Sequence, residues 1–431
     1  MTKEKALLPP VRLISDRPVT DSLLFGFDAY AETLSGMIAN KENATPLVMG
    51  IHGPGGAGKT TLMKAIKTRL DSDALSDGKR YRRCKTVWLQ AWKYEHENQI
   101  LTAIIETIFK AMAADGFFSL ARAKVETVIR RIDKSAIFAS LSGLISGVDI
   151  SEFFSGLQHK ARLGHFDTFQ KFLDDMIWTF LNWRFKLSGQ EKPDDKKGAF
   201  VIFIDDIDRC VPEGIVALLK TIQLFMYRPG CICVLAGAGE TIRRAWDQEY
   251  GSARTRDCLK KIFQLEFTLP RIPASDLLDL VEDKKNQLHL IKEFLPVIGP
   301  AIDCNPRHFK RFVNNLNLLY GLLRSSGSRM GFDQVQLWAV LVCAFSGLAS
   351  HIEDNPDDLY ALKNQIRRLE GRTGDKSIWL MTAEQLDEEK VPPGLHAYLQ
   401  TRYLADIVAR LDVAPDDMEM LRKLSSSLEA D

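Results

Sequence analysis

The sequence has little imbalance of charge. Its 57 lysines and arginines stand against 56 aspartates and glutamates, a formal net charge of +1, which argues against a chain held to nucleic acid by overall charge. It has no apolar run long enough to span a bilayer as a helix. The uncharged stretch Ser135–Val148 falls short of the roughly 20 residues needed, and Val335–Ser350, with Gln336 and Gly347, reads as a buried helix. Cysteine is sparse and unpaired by pattern. The seven residues at 84, 210, 231, 233, 258, 304 and 343 contain no CxxC spacing, which excludes a disulfide scaffold and a zinc ribbon and points to a reducing compartment. Residues Met1–Pro10 carry Lys3, Glu4, Lys5 and a Pro-Pro pair where a signal peptide has an apolar core. There is no internal repeat and no low-complexity tract. The expectation is a cytoplasmic protein whose 45% hydrophobic content can build its own core.

What is present begins with short apolar runs that alternate with helical segments. Pro46–Ile51, Thr86–Gln90, Ala199–Ile204, Cys231–Ala236 and Phe263–Leu269 read as strands. Helices between them predict a parallel sheet covered on both faces, an α/β fold. Nearly everything from Asn98 to Leu187 reads helical, and Ser188–Gly198 is a polar loop, so residues 98–198 form a helical insertion. After Pro270-Arg271-Ile272-Pro273 only amphipathic helices follow. The predicted division is an α/β domain over 1–270 and an all-α domain over 271–431.

The first strand feeds Gly53-Pro54-Gly55-Gly56-Ala57-Gly58-Lys59-Thr60 and then a helix from Thr61 onward. This is G-x-x-x-x-G-K-T in its required context of strand, loop and helix. Glycines let the backbone wrap so that successive N–H groups face phosphate oxygens, and the helix start adds its positive dipole end. Lys59 would reach the β and γ phosphates, and Thr60 would set a hydroxyl on Mg²⁺. A phosphate loop also needs a carboxylate at the end of a neighbouring strand. Ala199–Ile204 followed by Asp205-Asp206 supplies it, with Asp205 for Mg²⁺ and Asp206 to polarise the attacking water. The guanine-reading N/T-K-x-D pattern is met only by Asn40-Lys41-Glu42-Asn43, which precedes the loop and ends in the wrong residue, so the nucleotide favoured is ATP.

Asp205-Asp206-Ile207-Asp208-Arg209-Cys210 after an apolar strand resembles the acidic motif of the KAP family of P-loop NTPases. Trp88–Glu95 (WLQAWKYE), Lys261–Pro270 and Asn305–Asn314 (NPRHFKRFVN) are similar to that family's further motifs, in consistent order over roughly residues 15–320. The resemblance implies a P-loop sheet of the additional-strand type, with strand order 5-1-4-3-2, and a helical lid after it. It further implies ATP hydrolysis coupled to signalling or assembly, and for bacterial members an association with phage exclusion. Two departures stand out. Relatives commonly insert transmembrane helices, where this chain has only Ser135–Val148; a buried packing segment is the favoured reading and a membrane contact the alternative. Related ATPases often place a polar, γ-phosphate-sensing residue at the end of the fourth strand, where this chain has Ala236-Gly237-Ala238-Gly239-Glu240.

Further candidates are less specific. Arg307, opening a helix after Asn305-Pro306, resembles a sensor arginine that would reach the γ phosphate, with a helix-surface role as the alternative. Arg209 is expected to pair with Asp206 or Asp208, or else to act as a finger toward a neighbouring subunit; Lys260 and Lys261 are other trans-acting candidates. Trp88 and Trp92 share a strand face by spacing and read as core. Phe25 or Phe27 would hold adenine. The run Lys79–Lys85 is either a nucleic-acid or acidic-lipid patch or a solvated edge loop. Two functions remain: a Mg-dependent ATPase acting as a conformational or assembly switch through self-association or partner proteins, and an ATP-binding scaffold with negligible hydrolysis.

Overall fold

The computed structural model describes residues 13–17, 23–72, 75, 79–94, 97–130, 166–186, 197–225, 228–251, 258–281, 287–373 and 403–425. The apolar segment 135–148 lies outside the described residues, as does most of the polar loop 188–198. The chain divides into two compact units, Pro18–Pro270 and Arg271–Asp431, the latter with the N-terminal residues up to Arg17.

The first unit runs α1 (Phe27–Ala39), β1 (Leu47–His52), α2 (Lys59–Asp71), β2 (Arg83–Gln90), α3 (Glu97–Ala114), α4 (Phe117–Leu120), α5 (Arg122–Arg130), α6 (Phe166–Phe185), β3 (Gly198–Asp205), α7 (Pro212–Phe225), β4 (Cys231–Gly237), α8 (Gly239–Tyr250) and β5 (Leu265–Thr268). The strands form one parallel sheet in the order β2-β3-β4-β1-β5. Read from the other edge, this is the expected 5-1-4-3-2. β5 is shorter than Phe263–Leu269, because the chain reaches the sheet only after Gln264, whose backbone N–H and side-chain oxygen both bond to the main chain of Val48.

Strand periodicity sorts the apolar residues to two faces. Phe200, Ile202, Ile204, Cys231, Cys233 and Leu235 pack with α3, α6 and α7; Ala199, Val201, Phe203, Ile232, Val234 and Ala236 pack with α1 and α2. β3 is buried at every position, which is why its sequence is continuously apolar rather than alternating. On α3, Ile100, Ile104, Ile108 and Met112 recur at helical spacing and carry its buried stripe.

The sheet register decides where the chemistry falls. Gln90 pairs with Asp205, Ile204 with Leu235, and His52 with Gly237. The carboxyl ends of β1, β2, β3 and β4 are therefore level, and the residues that follow them emerge along one edge of the sheet, where open α/β sheets bind ligands.

The second unit is helical among its described residues: α9 (His289–Glu293), α10 (Leu295–Ala301), α11 (Pro306–Ser325), α12 (Phe332–Ala344), α13 (Ser346–Asp354), α14 (Pro356–Thr373), α15 (Leu404–Arg410) and α16 (Pro415–Ser425). α11 starts where Asn305 caps it by accepting from the Arg307 N–H, with Pro306 in the first turn. The segment 14–16 lies along α11. Ile14 exchanges two hydrogen bonds with the Asn314 side chain, at 2.7 and 3.0 Å, and Lys310 donates to the Ser15 carbonyl. No single described helix is long and apolar enough to cross a membrane. The bent pair α12–α13, at 116°, has that composition only when its two parts are joined, and its Leu337, Trp338, Leu341 and Ile352 are buried core.

Candidate phosphate site

The loop Gly53–Gly58 leaves β1 and delivers Lys59 and Thr60 into the first turn of α2, with Thr61 half-buried behind them. Gly56 and Gly58 both lie in the left-handed region, at φ 84° and 102°, and Gly58 is also closed to a side chain by its neighbour. A Cβ on Gly58 would lie 2.6 Å from the Phe27 ring. Phe27, 4% exposed, thus buttresses the loop from α1. That placement corrects the expectation that Phe27 holds adenine: the ring is used up in packing against the loop. Phe25, half-buried and edge-on to Phe27 at 6.4 Å between centroids, belongs to the same aromatic cluster.

Lys59 is buried, and its ammonium donates to the carbonyls of Gly53 (2.9 Å) and Pro54 (3.1 Å) and to Asp208 (3.1 Å). Thr60 Oγ1 donates to Asp205 Oδ2 at 2.9 Å. Asp205 is the last residue of β3 and only 2% exposed. Burial pushes its carboxyl above the ordinary carboxylate range, with the Thr60 hydroxyl and the Asp206 N–H pulling the other way. A hydroxyl and a carboxylate converging from two elements are the hard oxygen donors that Mg²⁺ takes, alongside phosphate oxygens and water. Among the described residues no group of three or more His, Cys, Asp or Glu forms a cage of its own. The pair therefore fits a magnesium ion that arrives with a phosphate ligand.

Asp206 turns the chain. It sits in the left-handed region, at φ 59° and ψ 37°, a conformation Asp tolerates better than most residues. The turn Ile207–Arg209 that follows carries Asp208 back to Lys59 and sets Arg209 Nε 3.3 Å from Asp206 Oδ1. Of the two partners expected for Arg209, the structure brings it to Asp206. Asp208, given no role of its own by the sequence, joins the site, and only the density of ionisable residues after β3 hinted at it.

Other candidates fall outside this cluster. Arg307 Nε lies 2.6 Å from Asp16 within the helical unit. Trp88 stacks on Phe203 at 5.6 Å between ring centroids, as core. Trp92 does not share its face, because β2 ends at Gln90 and Ala91–Lys93 form a helical turn that leaves Trp92 exposed. In the basic run, Arg82 is buried and donates to the carbonyls of Asn40 and Asn43, and Lys85 pairs with Asp115 at 2.7 Å. Arg82 and Lys85 are therefore engaged within the fold. Lys260 and Lys261 are exposed.

The sequence profile of the KAP family P-loop domain matches residues 27–323. No curated protein matches the sequence. Among solved structures, the chain is similar to the ORC2 protein of Aeropyrum pernix in its ADP form, at 12% identity and a TM-score of 0.41, covering 97% of this chain and 98% of that one. It is similar also to a Walker-type ATPase of Pyrococcus abyssi, at 11% identity and a TM-score of 0.33, covering 92% and 99%. For Drosophila ORC bound to DNA the values are 14% and 0.27, covering 93% and 84%. At such scores these likenesses carry nothing about what this chain binds.

Proposed function

This chain belongs to the KAP family of P-loop NTPases, and on that premise we propose that it is a Mg-dependent ATPase whose hydrolysis throws a conformational or assembly switch. The observation that carries the reading is the 2.9 Å hydrogen bond between Thr60 and a buried Asp205, formed beside Lys59. Residues Gly53–Thr61 hold the phosphates through backbone N–H groups, the helix start and the Lys59 ammonium. Thr60 and Asp205 would hold Mg²⁺, which would supply positive charge against the phosphates. Asp206 accepts a proton from the attacking water. Arg307 is the lid arginine of the proposal, and since Asp16 occupies its guanidinium, that role requires the pair to open.

A purified-protein assay of phosphate release from Mg·ATP, beside Lys59→Ala and Asp206→Asn, tests the assignment. We expect Lys59→Ala to lose both binding and turnover, and Asp206→Asn to lose turnover alone. Equal ATP affinity in Lys59→Ala and the parent would sink it. Turnover per molecule that rises with concentration would place the completing group, Arg209 among the candidates, on a second copy.

A second reading, an ATP-binding scaffold that assembles partner proteins, is favoured by Arg209 holding the Asp206 carboxylate at 3.3 Å and by the apolar end of β4. Phosphate release no greater than that of Asp206→Asn, with ATP still bound, selects it. The setting we propose is the cytoplasm, from the cysteine pattern, and a signalling or anti-phage system, by family resemblance. Loss of phage restriction on Lys59→Ala substitution in the native host is its test.

A further inference from the structure

The end of β4 has no polar side chain to face a phosphate, and its packing gives a reason. A Cβ on Gly237 would lie 3.3 Å from the Cβ of Ile207 and 3.2 Å from Ile242 Cδ1. The turn after β3 and the helix α8 already fill that place. What arrives there instead is the carboxylate of Asp208. Its Oδ2 accepts from two groups, the Lys59 ammonium at 3.1 Å and the Ala238 N–H, also at 3.1 Å. Ala238 caps the start of α8. One oxygen therefore joins the phosphate loop, the turn after β3 and the β4–α8 junction. Both side chains are largely enclosed, Lys59 at 8% and Asp208 at 15% exposure.

An ammonium has three donors, and all three of Lys59 are engaged, by Gly53, Pro54 and Asp208. A phosphate that recruits this lysine must displace at least one of them, and Asp208 is the only charged one. All three bonds carry the charge of the ammonium, but only Asp208 adds a full opposite charge, and it does so where both side chains are largely enclosed, so Asp208 is the principal competitor. Once the lysine turns to phosphate, the carboxylate keeps the Ala238 N–H and faces an anion.

We propose that Asp208 is a positioning residue that sets nucleotide affinity by competing for Lys59, and that it transmits the loss of that partner to the head of α8 through Ala238. The inference rests on the P-loop reading above.

The test is titration of the full chain with a fluorescent ATP analogue and its ADP counterpart. Asp208→Asn keeps an oxygen for the Ala238 N–H but no charge for Lys59. Asp208→Ser is a second uncharged variant, should one of the two fail to fold. Each is compared with the parent once matched unfolding transitions are verified. We expect roughly tenfold tighter binding of both nucleotides, the scale on which a hydrogen-bonded opposite charge exceeds a neutral acceptor in the competing state. Asp206→Asn removes a neighbouring negative charge without releasing Lys59, and should change affinity by less than about threefold. Hydrogen exchange at Ala238–Ile242 should respond to ATP in the parent and not in Asp208→Ser. Unchanged or weaker affinity in the Asp208 variants overturns the proposal, as does equal tightening by Asp206→Asn, which would mean general repulsion. A parent that binds neither nucleotide refutes the P-loop reading itself, and this inference with it.

Discussion

The two halves of the candidate phosphate site are built on opposite terms. The loop Gly53–Gly58 offers its backbone, and its shape depends on what its residues lack: Gly58 has no Cβ to meet Phe27. The turn Asp205–Arg209 works through its side chains, and each of its four ionisable residues has a different partner. Asp205 meets Thr60, Asp206 meets Arg209, and Asp208 meets Lys59. A backbone cradle is sensitive to any added atom. A side-chain cluster is sensitive to which charge is removed, so substitutions in it should separate functions that the loop merges.

The loop should therefore show the largest single effect. Gly58→Ala places a Cβ 2.6 Å from an aromatic carbon at a φ of 102°. Left-handed backbone and overpacking together should cost about 2–4 kcal/mol of stability and abolish nucleotide binding, read by chemical denaturation and by titration. Adding Phe27→Ala to it should remove the steric part at Gly58 and leave the φ part. A double variant that binds no better than Gly58→Ala would put the damage in the backbone alone.

In the acidic turn, Asp206→Asn should lower turnover by about 10²–10⁴-fold, the span of general acid–base contributions, with binding kept. Asn tolerates the left-handed region, so the turn and Asp208 should stay in place. A fall in ATP affinity as large as the fall in turnover would show that the acidic turn is no more divisible than the loop.

That contrast also governs how much could be read in advance. The phosphate loop is legible because its eight residues are contiguous and its chemistry is local. β3 is legible because a doubly covered strand must be continuously apolar, and Asp205 follows it directly. The strand order came through a family resemblance, since periodicity gives strands and faces but not neighbours. Three features are set by contacts distant in sequence and leave no local mark. Phe27 meets Gly58 across the sheet face, Arg307 is taken by Asp16 from 291 positions away, and Asp208 reaches Lys59 only because Asp206 turns left-handed. Trp92 failed for a related reason: strand spacing was carried past the point where β2 stops.

Asp205 offers a smaller effect and a test of sign. Its carboxyl is pushed above the ordinary range by burial, so between its unfolded and folded pKa the native state binds more protons than the unfolded one. Stability then falls as pH rises through that window and is recovered below the unfolded value. Asp205→Asn keeps a hydrogen-bonding partner for Thr60 without the buried charge. It should raise the stability of the nucleotide-free protein at neutral pH by about 1–2 kcal/mol while removing the dependence of ATP binding on Mg²⁺. The gain should vanish in acid. A variant less stable than the parent at pH 7 would mean that the Thr60 bond outweighs the desolvation.

The smallest effect belongs to Arg209, and it bears on which proposed function holds. Its guanidinium is 55% exposed and sits 3.3 Å from Asp206, a surface pair that contributes about 0–1 kcal/mol. Arg209→Ala should leave the unfolding transition nearly unmoved. Its consequence lies in Asp206, whose carboxylate is then released to meet water. If the pair is a resting-state restraint within one chain, turnover at low protein concentration should rise by about two- to threefold, the population effect of losing an interaction of this size. If Arg209 acts toward a second copy, turnover should fall, and fall most where the parent's activity rises with concentration. Rate against concentration for the two proteins distinguishes the cases, because a restraint is independent of concentration and a shared site is not.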